Sequence, residues 1–269
     1  MRTLVHLSDL HFDRVDRVVV GALAETVNRI APDVIAVSGD LTQRARSHQF
    51  IEARDFLASL PGPVIVVPGN HDVPLHNVFA RFVNPLGAYR RHITADLHPR
   101  YSDPELMVVG TNTTRSFTIA GGGIRRRELH RICDALNGVD ESIVKVVVGH
   151  HPFDMPHAGA AFGRARPGPE AVELLAHTGV DVFLTGHLHV TYAGPTATRY
   201  RIGGRSAIVV EAGTATSTRV RGEPNAFNVL RVDATAIVVE HVEWRSASRT
   251  FEANEVQRFA RTPGGWSAA

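Results

Sequence analysis

Five short motifs rich in aspartate and histidine occur along the first two-thirds of this 269-residue chain. Carboxylate, imidazole and carboxamide groups are ligands for transition metal ions, and such a set gathered in one place is typical of a two-metal site. In an Asp-x-His or His-x-His triplet, residues two apart would point to the same side of a continuing strand and reach one ion. The motifs are Asp9-Leu10-His11, Gly39-Asp40, Gly69-Asn70-His71-Asp72, Gly149-His150-His151 and Gly186-His187-Leu188-His189.

Each motif follows a short run of β-branched and aliphatic residues, a pattern that is typical of a buried strand. In open α/β sheets, the carboxyl ends of the strands form the edge at which functional sites lie. We therefore expect the five motifs to meet at one such edge. The runs span residues 3–7, 34–37, 64–67, 143–148 and 180–184.

Stretches with helical periodicity separate these runs, so the sequence predicts the α/β class. Apolar residues recur at helical spacing over residues 18–30, 47–60 and 125–137. Residues 74–104 mix aromatic side chains with arginine and histidine, and we expect short helices there that form a cap or wall of the site.

The pattern changes after residue 205, where apolar runs follow one another without a helical stretch between them. The runs at 206–212, 226–233 and 236–244 predict an antiparallel addition within 206–244 that forms a second sheet. Pro263-Gly264-Gly265 predicts a frayed end. Because no repeat or linker divides the sequence, we interpret residues 1–269 as a single domain.

Composition and charge limit the classes of function. The hydrophobic content of 43% and the charged content of 21% are those of a globular protein. The formal net charge of +2 gives no strong indication of nucleic-acid binding. No apolar stretch is long enough to cross a bilayer and no signal region is recognisable, so we expect a cytoplasmic location. Cys133 is the only cysteine, which excludes an internal disulfide.

Several of these residues have more than one interpretation. Asp40 could cap a turn rather than bind an ion, and Gly69-Asn70 could be a simple turn after a strand. His71 would point away from Asn70, which suits a proton donor better than a metal ligand. Asp72 would orient His71 through a hydrogen bond.

Taken together and in this order, the motifs resemble the pattern D-x-H, G-D, G-N-H-[DE], H and G-H-x-H of the calcineurin-like metallophosphoesterase superfamily. The resemblance implies a two-sheet β-sandwich flanked by helices, with four α/β/β/α layers. It implies two divalent or mixed-valence ions of manganese, iron or zinc. It assigns Asp9, His11, Asp40 and His189 to one ion, and Asp40, Asn70, His150 and His187 to the other, with Asp40 as the bridge.

Within the superfamily, the chain resembles the class III cyclic-nucleotide phosphodiesterase-like branch. The features shared with that branch are His150-His151-Pro152 and the helix start between Gly122 and Leu129. The first histidine of the pair is the family's usual ligand, which favours His150 over His151. The resemblance implies a phosphodiesterase that acts on small diesters such as cyclic nucleotides or glycerophosphodiesters, with a hydroxide between the ions as nucleophile. A homodimer is implied as well, since that branch often forms one.

Other substrates and one other class of function stay open at this point. A hydrolase of nucleotide-lipid pyrophosphates, nucleic acid or phosphomonoesters would carry the same motifs. An exposed apolar stripe within 74–104 would favour lipid, but polar residues interrupt that segment throughout, so the sequence does not favour the lipid version. A non-catalytic binding module on the same fold is a third alternative, but such modules usually lose the residue equivalent to His71. Arg219 and Arg221 follow a predicted strand and are the candidate contacts to a substrate phosphate.

Overall fold

The computed structural model describes residues 1–117, 121–152, 175, 178–196, 205–218 and 222–269. Within these ranges, two mixed β-sheets pack face to face, and helices cover their outer faces. This four-layer arrangement confirms the predicted two-sheet sandwich flanked by helices. None of the helices in these ranges is long and apolar enough to cross a membrane.

The predicted strand runs and helices are confirmed to within two residues at their ends. The described helices are α1 (Arg17–Ile30), α2 (Ser47–Ala58), α3 (Val78–Val83), α4 (Gly87–His92) and α5 (Arg126–Leu136). The described strands are β1 (Arg2–Leu7), β2 (Val34–Val37), β3 (Val64–Val66), β4 (Arg100–Ser102), β5 (Leu106–Gly110), β6 (Val144–Val148), β7 (Val182–Thr185), β8 (Tyr192–Pro195), β9 (Ile208–Glu211), β10 (Ala226–Val232), β11 (Ala236–Arg245), β12 (Thr250–Thr262) and β13 (Gly265–Ala268).

Each sheet has parallel strands that carry motifs and antiparallel strands that extend it. The first sheet has the order β13-β12-β11-β10-β1-β2-β3, in which β1, β2 and β3 are parallel. The second has the order β4-β5-β6-β7-β9-β8, in which β5, β6, β7 and β9 are parallel. The strands that precede the five motifs are therefore β1, β2 and β3 in one sheet and β6 and β7 in the other.

Alternating side chains divide the apolar core into layers. Leu4 of β1 and Ala36 of β2 pack between the two sheets, whereas Val5 and Leu7 belong to the layer under α1 and α2. Both faces of these strands are buried, which explains why their sequences are continuously apolar rather than alternating. A third apolar layer lies between the second sheet and α5, where Ile132 packs.

The prediction of a separate antiparallel sheet within 206–244 is wrong. The run at 206–212 contains β9, which pairs parallel with β7 in the second sheet. Strands β10 and β11 are antiparallel, but they extend the first sheet, because β10 pairs with β1 from Arg2 to His6. The parallel partner of β9 is β7, which lies in the interior of the second sheet. A run of apolar residues predicts a strand but does not specify whether that strand pairs parallel or antiparallel with its neighbour.

The prediction of a frayed C-terminal end is also wrong. Strands β12 and β13 form a hairpin, and Pro263 and Gly264 are the two-residue turn between the pair Thr262 and Gly265. The Trp266 side chain is buried, and its indole N–H donates to Asp181 Oδ1 at 2.8 Å. The turn residues therefore continue the first sheet rather than end the ordered chain.

Candidate metal centre

The carboxyl ends of β1, β2, β3, β6 and β7 come together at one end of the sandwich. The backbone N–H of Asp9 donates to Gly39 O (3.1 Å), and that of His11 donates to Asp40 O (2.9 Å). On the second sheet, the N–H of Gly186 donates to His150 O (3.0 Å). These bonds join the motif loops in pairs beyond the last residue of each strand.

The backbone geometry of the motifs differs from the continuing strand that the spacing predicted. Five of the seven ligand candidates adopt the left-handed region, which non-glycine residues rarely occupy and which costs on the order of 1 kcal/mol or more per residue. The chain thus turns at each of these five residues, and the two side chains of a triplet converge by turning rather than by strand alternation. The values of φ are 52° for Asp9, 51° for His11, 52° for Asp40, 73° for His187 and 61° for His189.

Glycines before the candidates allow the loops to approach closely. A Cβ atom on Gly186 would overlap the Ser8 hydroxyl and lie 2.6 Å from Asp9 Oδ2. Gly39 has a φ of 96°, and a Cβ there would lie 2.8 Å from Gly69 N. Gly39 and Gly186 are therefore required by the neighbouring loops and not only by their own turns.

One cluster of donor atoms contains Asp9, His11 and His189. Asp9 Oδ1 lies 3.4 Å from His11 Nε2 and 3.2 Å from His189 Nε2, and all three side chains are buried. The Thr214 hydroxyl lies 2.7 Å from His189 Nδ1 and fixes the orientation of that ring. The three donor atoms can all reach one ion.

A second cluster surrounds His150. Its Nε2 lies 3.4 Å from Asp40 Oδ2, 3.0 Å from Asn70 Oδ1 and 3.3 Å from His187 Nδ1. Its Nδ1 lies 2.8 Å from the carbonyl oxygen of Ser38, which directs Nε2 towards the other donors. The structure thus brings together the four residues that the resemblance assigned to the second ion.

Asp40 lies between the two clusters. Its Oδ2 is 3.8 Å from His11 Nε2 on one side and 3.4 Å from His150 Nε2 on the other. Its Oδ1 accepts the backbone N–H of His71 at 2.8 Å. A carboxylate in this place can serve two ions at once.

The electrostatics of the site fit cations. Burial raises the pKa of Asp9, but His189, His11 and His150 outweigh burial and hold that pKa well below its usual range. Burial lowers the pKa of His150, but Asp40 outweighs it and raises the pKa to about 9. The fixed carboxylates therefore favour positive charge in this place, and a metal ion would supply it instead of the imidazole proton.

The imidazole of His187 is neutral, as metal binding requires. Burial, and then His150, lowers the pKa of His187 to about 4. Carboxylate oxygen, imidazole nitrogen and amide oxygen together suit manganese, iron or zinc. The side chains present thus fit the implied pair of ions.

His151 is buried behind the second cluster. Its Nδ1 lies 2.9 Å from the Thr113 hydroxyl, and its ring centroid is 4.7 Å from that of His187. Burial, then His150 and His187, lowers the pKa of His151. His150, His151 and His187 also form a possible ligand group, but only His150 of the adjacent pair has a described contact with Asp40.

His71 lies beside the first cluster. Its ring centroid is 4.8 Å from that of His11, and its Nδ1 is 2.9 Å from the carbonyl oxygen of Gln43. That carbonyl accepts a proton carried on Nδ1, which leaves Nε2 as the nitrogen that can exchange a proton with a substrate.

The predicted bond from Asp72 to His71 is replaced by another arrangement. Asp72 accepts the backbone N–H groups of Leu41 (3.2 Å), Thr42 (2.9 Å) and Gly69 (2.9 Å). Burial, and then Asp40, raises the pKa of Asp72 to about 6. Its carboxylate therefore joins the loop of Asp40 to the loop of Asn70, while Gln43 takes the place expected for Asp72 at His71.

The two arginines predicted to contact substrate, Arg219 and Arg221, lie outside the described residues. The orienting partners Thr214 and Ser38 were missed by the sequence analysis. Threonine and serine are too common in loops to mark such a role, although every metal-ligating imidazole is expected to have a partner of this kind.

The family of the chain is clear from comparison with known proteins. The model of the calcineurin-like phosphoesterase family matches residues 2–191, and the chain belongs to this family.

Curated relatives match parts of the chain at low identity. The chain is 31% identical over 94 residues to the glycerophosphodiester phosphodiesterase GpdQ of Enterobacter lignolyticus, which covers 31% of this chain and 33% of that protein. It is 28% identical over 160 residues to the 3',5'-cyclic adenosine monophosphate phosphodiesterase CpdA of Haemophilus influenzae, which covers 58% of this chain and 54% of that protein. The matched part is thus about half of CpdA and a third of GpdQ.

Solved structures share the fold. A purple acid phosphatase from yellow lupin superposes with a TM-score of 0.70 at 13% identity, covering 96% of this chain and 53% of that one. GAP50 of Plasmodium, described as an anchor in the inner membrane complex, superposes with a TM-score of 0.58 at 12% identity, covering 94% of this chain and 89% of that one.

Proposed function

We propose that this member of the calcineurin-like phosphoesterase family is a phosphodiesterase that hydrolyses small phosphodiesters at two bound metal ions. The observation that carries the proposal is the place of Asp40, whose Oδ2 lies 3.8 Å from His11 Nε2 and 3.4 Å from His150 Nε2. The names of the curated relatives support cyclic nucleotides or glycerophosphodiesters as the substrate class. Cytoplasmic location and a homodimer stay predictions.

The side chains divide between two ions of manganese, iron or zinc. When bound, the pair of ions supplies a hydroxide at neutral pH and neutralises charge on the phosphoryl oxygens. Asp9, His11 and His189 would hold one ion, Asn70, His150 and His187 the other, and Asp40 both. The buried Asp72 carboxylate keeps the loops of Asp40 and Asn70 at a fixed separation, because it binds the backbone of both.

His71 would act on the leaving group. With Nδ1–H held by the Gln43 carbonyl, a protonated ring carries its second proton on Nε2. Transfer of that proton to the alkoxide lets the poor leaving group depart as a neutral alcohol. General acid catalysis of this kind raises the rate by roughly 10²–10⁴-fold. The bond from the His71 backbone N–H to Asp40 Oδ1 ties the proton donor to the centre of the metal site.

The direct test compares a diester with a monoester. Protein stripped of metal and reloaded with Mn²⁺ is given bis(p-nitrophenyl) phosphate and p-nitrophenyl phosphate side by side, together with His71→Ala and with His130→Ala, an exposed histidine, as the control. We expect metal-dependent hydrolysis that favours the diester, falls in His71→Ala and is unchanged in His130→Ala. Preference for the monoester would make the protein a phosphatase, and no turnover of either ester by the reloaded protein would contradict the proposal.

A further inference from the structure

An open groove of about 490 Å³ lies beside His71, between the loop that precedes α2 and the two short helices α3 and α4. A volume of this size is typical of pockets that bind small ligands. Arg44 lines the groove, and its Nη1 lies 3.4 Å from His71 Nδ1, so the groove adjoins the Nδ1 side of the proposed proton donor.

The groove has an excess of positive charge. Arg44, Arg46 and Arg91 line it together with His76, and no acidic residue is among the described residues of its wall. In the described part of the chain, no carboxylate lies within ion-pair distance of Arg46 or Arg91. By contrast, the groove on the other side of α4 contains Glu128, which pairs with Arg127 and Arg131. Uncompensated guanidinium groups at a concave surface favour an anionic ligand.

One wall of the groove continues into an exposed apolar ridge. Phe79 and Val83 belong to both, and the ridge is formed by one side of α3 together with Phe117. Large apolar side chains so exposed and so close together are uncommon unless they contact a ligand or a partner. The exposed fractions are 63% for Val78, 77% for Phe79, 50% for Phe82, 66% for Val83 and 89% for Phe117.

The ridge is a fixed part of the fold. The buried side chain of Arg81, on the opposite side of α3, donates to the carbonyl oxygens of Ser116 (2.7 Å) and Pro74 (3.0 Å). The Asn77 side chain accepts the backbone N–H of Ala80 at 2.9 Å, and the rings of Phe82 and Phe117 are in contact, 5.3 Å apart. Arg81 thus holds α3 with its apolar side outward.

We propose that the groove and the ridge bind one amphiphilic phosphoester, with an acidic group against Arg46 and Arg91 and an alkyl or acyl body along Phe79 and Val83. This assignment deepens the proposed phosphodiesterase activity, on which it rests, by giving the substrate a lipid-like arm. A nucleotide would satisfy the arginines but would leave Val78, Phe82 and Phe117 without a contact. An apolar protein segment would satisfy the ridge but would leave the arginines without a counter-charge.

The test is the binding of dodecyl phosphate below its critical micelle concentration to the Mn²⁺-loaded full chain, measured by calorimetry in saturating inorganic phosphate. Inorganic phosphate competes at the metal centre and at the arginines, so its concentration is the same in every titration. The groove is reported by the part of the binding that the groove variants lose. Thymidine 5'-monophosphate and dodecyl maltoside are titrated in parallel as a nucleotide and as a neutral amphiphile. Variants are Arg46→Gln with Arg91→Gln, and Val83→Glu.

The chain offers matched controls on the far side of the first sheet. Val256 is 50% exposed and Arg258 is exposed, both on β12. Val256→Glu repeats the change at Val83, and Arg258→Gln repeats the change at the arginines. The midpoint of thermal unfolding is recorded for each variant, and Arg91→Gln alone replaces the double variant if that protein does not fold.

We expect one dodecyl phosphate per chain, bound at least about tenfold more tightly than either other probe, since a charge-assisted contact and a buried chain both contribute. The double arginine variant and Val83→Glu each weaken binding about tenfold or more, and the two controls leave it unchanged. Equal binding of thymidine 5'-monophosphate, or equal loss in Val256→Glu, would overturn the proposal.

The two proposals fail separately. Hydrolysis of bis(p-nitrophenyl) phosphate without groove-dependent binding of dodecyl phosphate would overturn only the inference about the groove. Groove-dependent binding without hydrolysis of any diester would overturn the proposed activity and with it the interpretation of the ligand as a substrate.

Discussion

At the scale of single residues, the hydrogen bond from His71 Nδ1 to the Gln43 carbonyl determines which nitrogen can serve the leaving group. Replacement of His71 by Ala should spare both ions, because the described clusters around Asp9 and His150 each keep at least three donors without it. The loss in kcat should be larger for an alkyl leaving group than for p-nitrophenolate, which departs readily without a proton.

The measurement is kcat of the wild type and of His71→Ala with two esters of the same phosphate. One ester has methoxide as its leaving group and the other has p-nitrophenolate. Metal content is determined on the same samples. An equal loss for both esters would contradict proton donation and assign His71 to charge stabilisation instead.

His6, in β1, gives a pH dependence of stability. Its ring is buried between Ser38 (2.9 Å from Nε2) and Asn228, and burial lowers its pKa to about 3 from the ordinary histidine value of 6.5. Above pH 6.5 both folded and unfolded chains carry a neutral His6. As the pH falls from about 6.5 towards about 3, only the unfolded chain takes up the proton, so stability is lost.

We expect the wild type to lose about 1.4 kcal/mol more free energy of unfolding than His6→Gln between about pH 7.5 and about pH 5.5. Urea unfolding of the two metal-stripped proteins at both pH values measures it. Parallel changes in the two proteins would show that His6 does not titrate in this way.

At the scale of elements, the closeness of the strand ends depends on glycine. Gly186→Ala places a Cβ against Ser8 and Asp9 and should push the end of β7 away from the end of β1. Metal content should fall, because the donors of each cluster come from separate loops. Gly21→Ala is the control: that position in α1 has no atom within 4 Å of an added Cβ, so the change should stabilise the protein by about 0.5–1 kcal/mol.

Metal analysis after dialysis, with the midpoint of thermal unfolding, distinguishes the two glycine variants. Wild-type metal content in Gly186→Ala would mean that the loops tolerate the wider separation and that the close approach is not required.

The sequence predicted the positions of elements better than their pairing. Continuous apolar runs located β1, β2, β6 and β7 because both faces of these strands are buried. The same runs could not distinguish a parallel β9 from an antiparallel one, since direction depends on the chain between strands. The turn at Pro263 and Gly264 resembled a frayed end because the anchor, Trp266 against Asp181, is a contact between distant residues.

The ligand candidates were apparent from the spacing of their motifs, but their backbone was not. Left-handed φ values at Asp9 and His189 are imposed by bonds between loops, such as Asp9 N–H to Gly39 O, which no local pattern specifies. The role of Asp72 was likewise hidden, because three backbone N–H groups from two loops bind it.

At the scale of the whole molecule, the two sheets each supply part of the candidate metal centre. Asp9 and Asp40 follow strands of the first sheet, whereas His150 and His187 follow strands of the second. Ions bound between them would cross-link the two halves of the sandwich at their carboxyl edge. Metal binding should therefore stabilise the fold as well as create the site, by an amount that grows with the logarithm of metal concentration.

The most direct test of this account is a titration of metal-stripped protein with Mn²⁺, followed by the rate of bis(p-nitrophenyl) phosphate hydrolysis. We expect the rate to keep rising until two equivalents per chain are bound and then to stay constant, because both clusters must be filled. Asp40→Asn, which keeps the shape of the side chain but cannot supply both ions with charge, should give no such rise. A rate that is complete at one equivalent, or that Asp40→Asn reproduces, would contradict a shared two-metal centre.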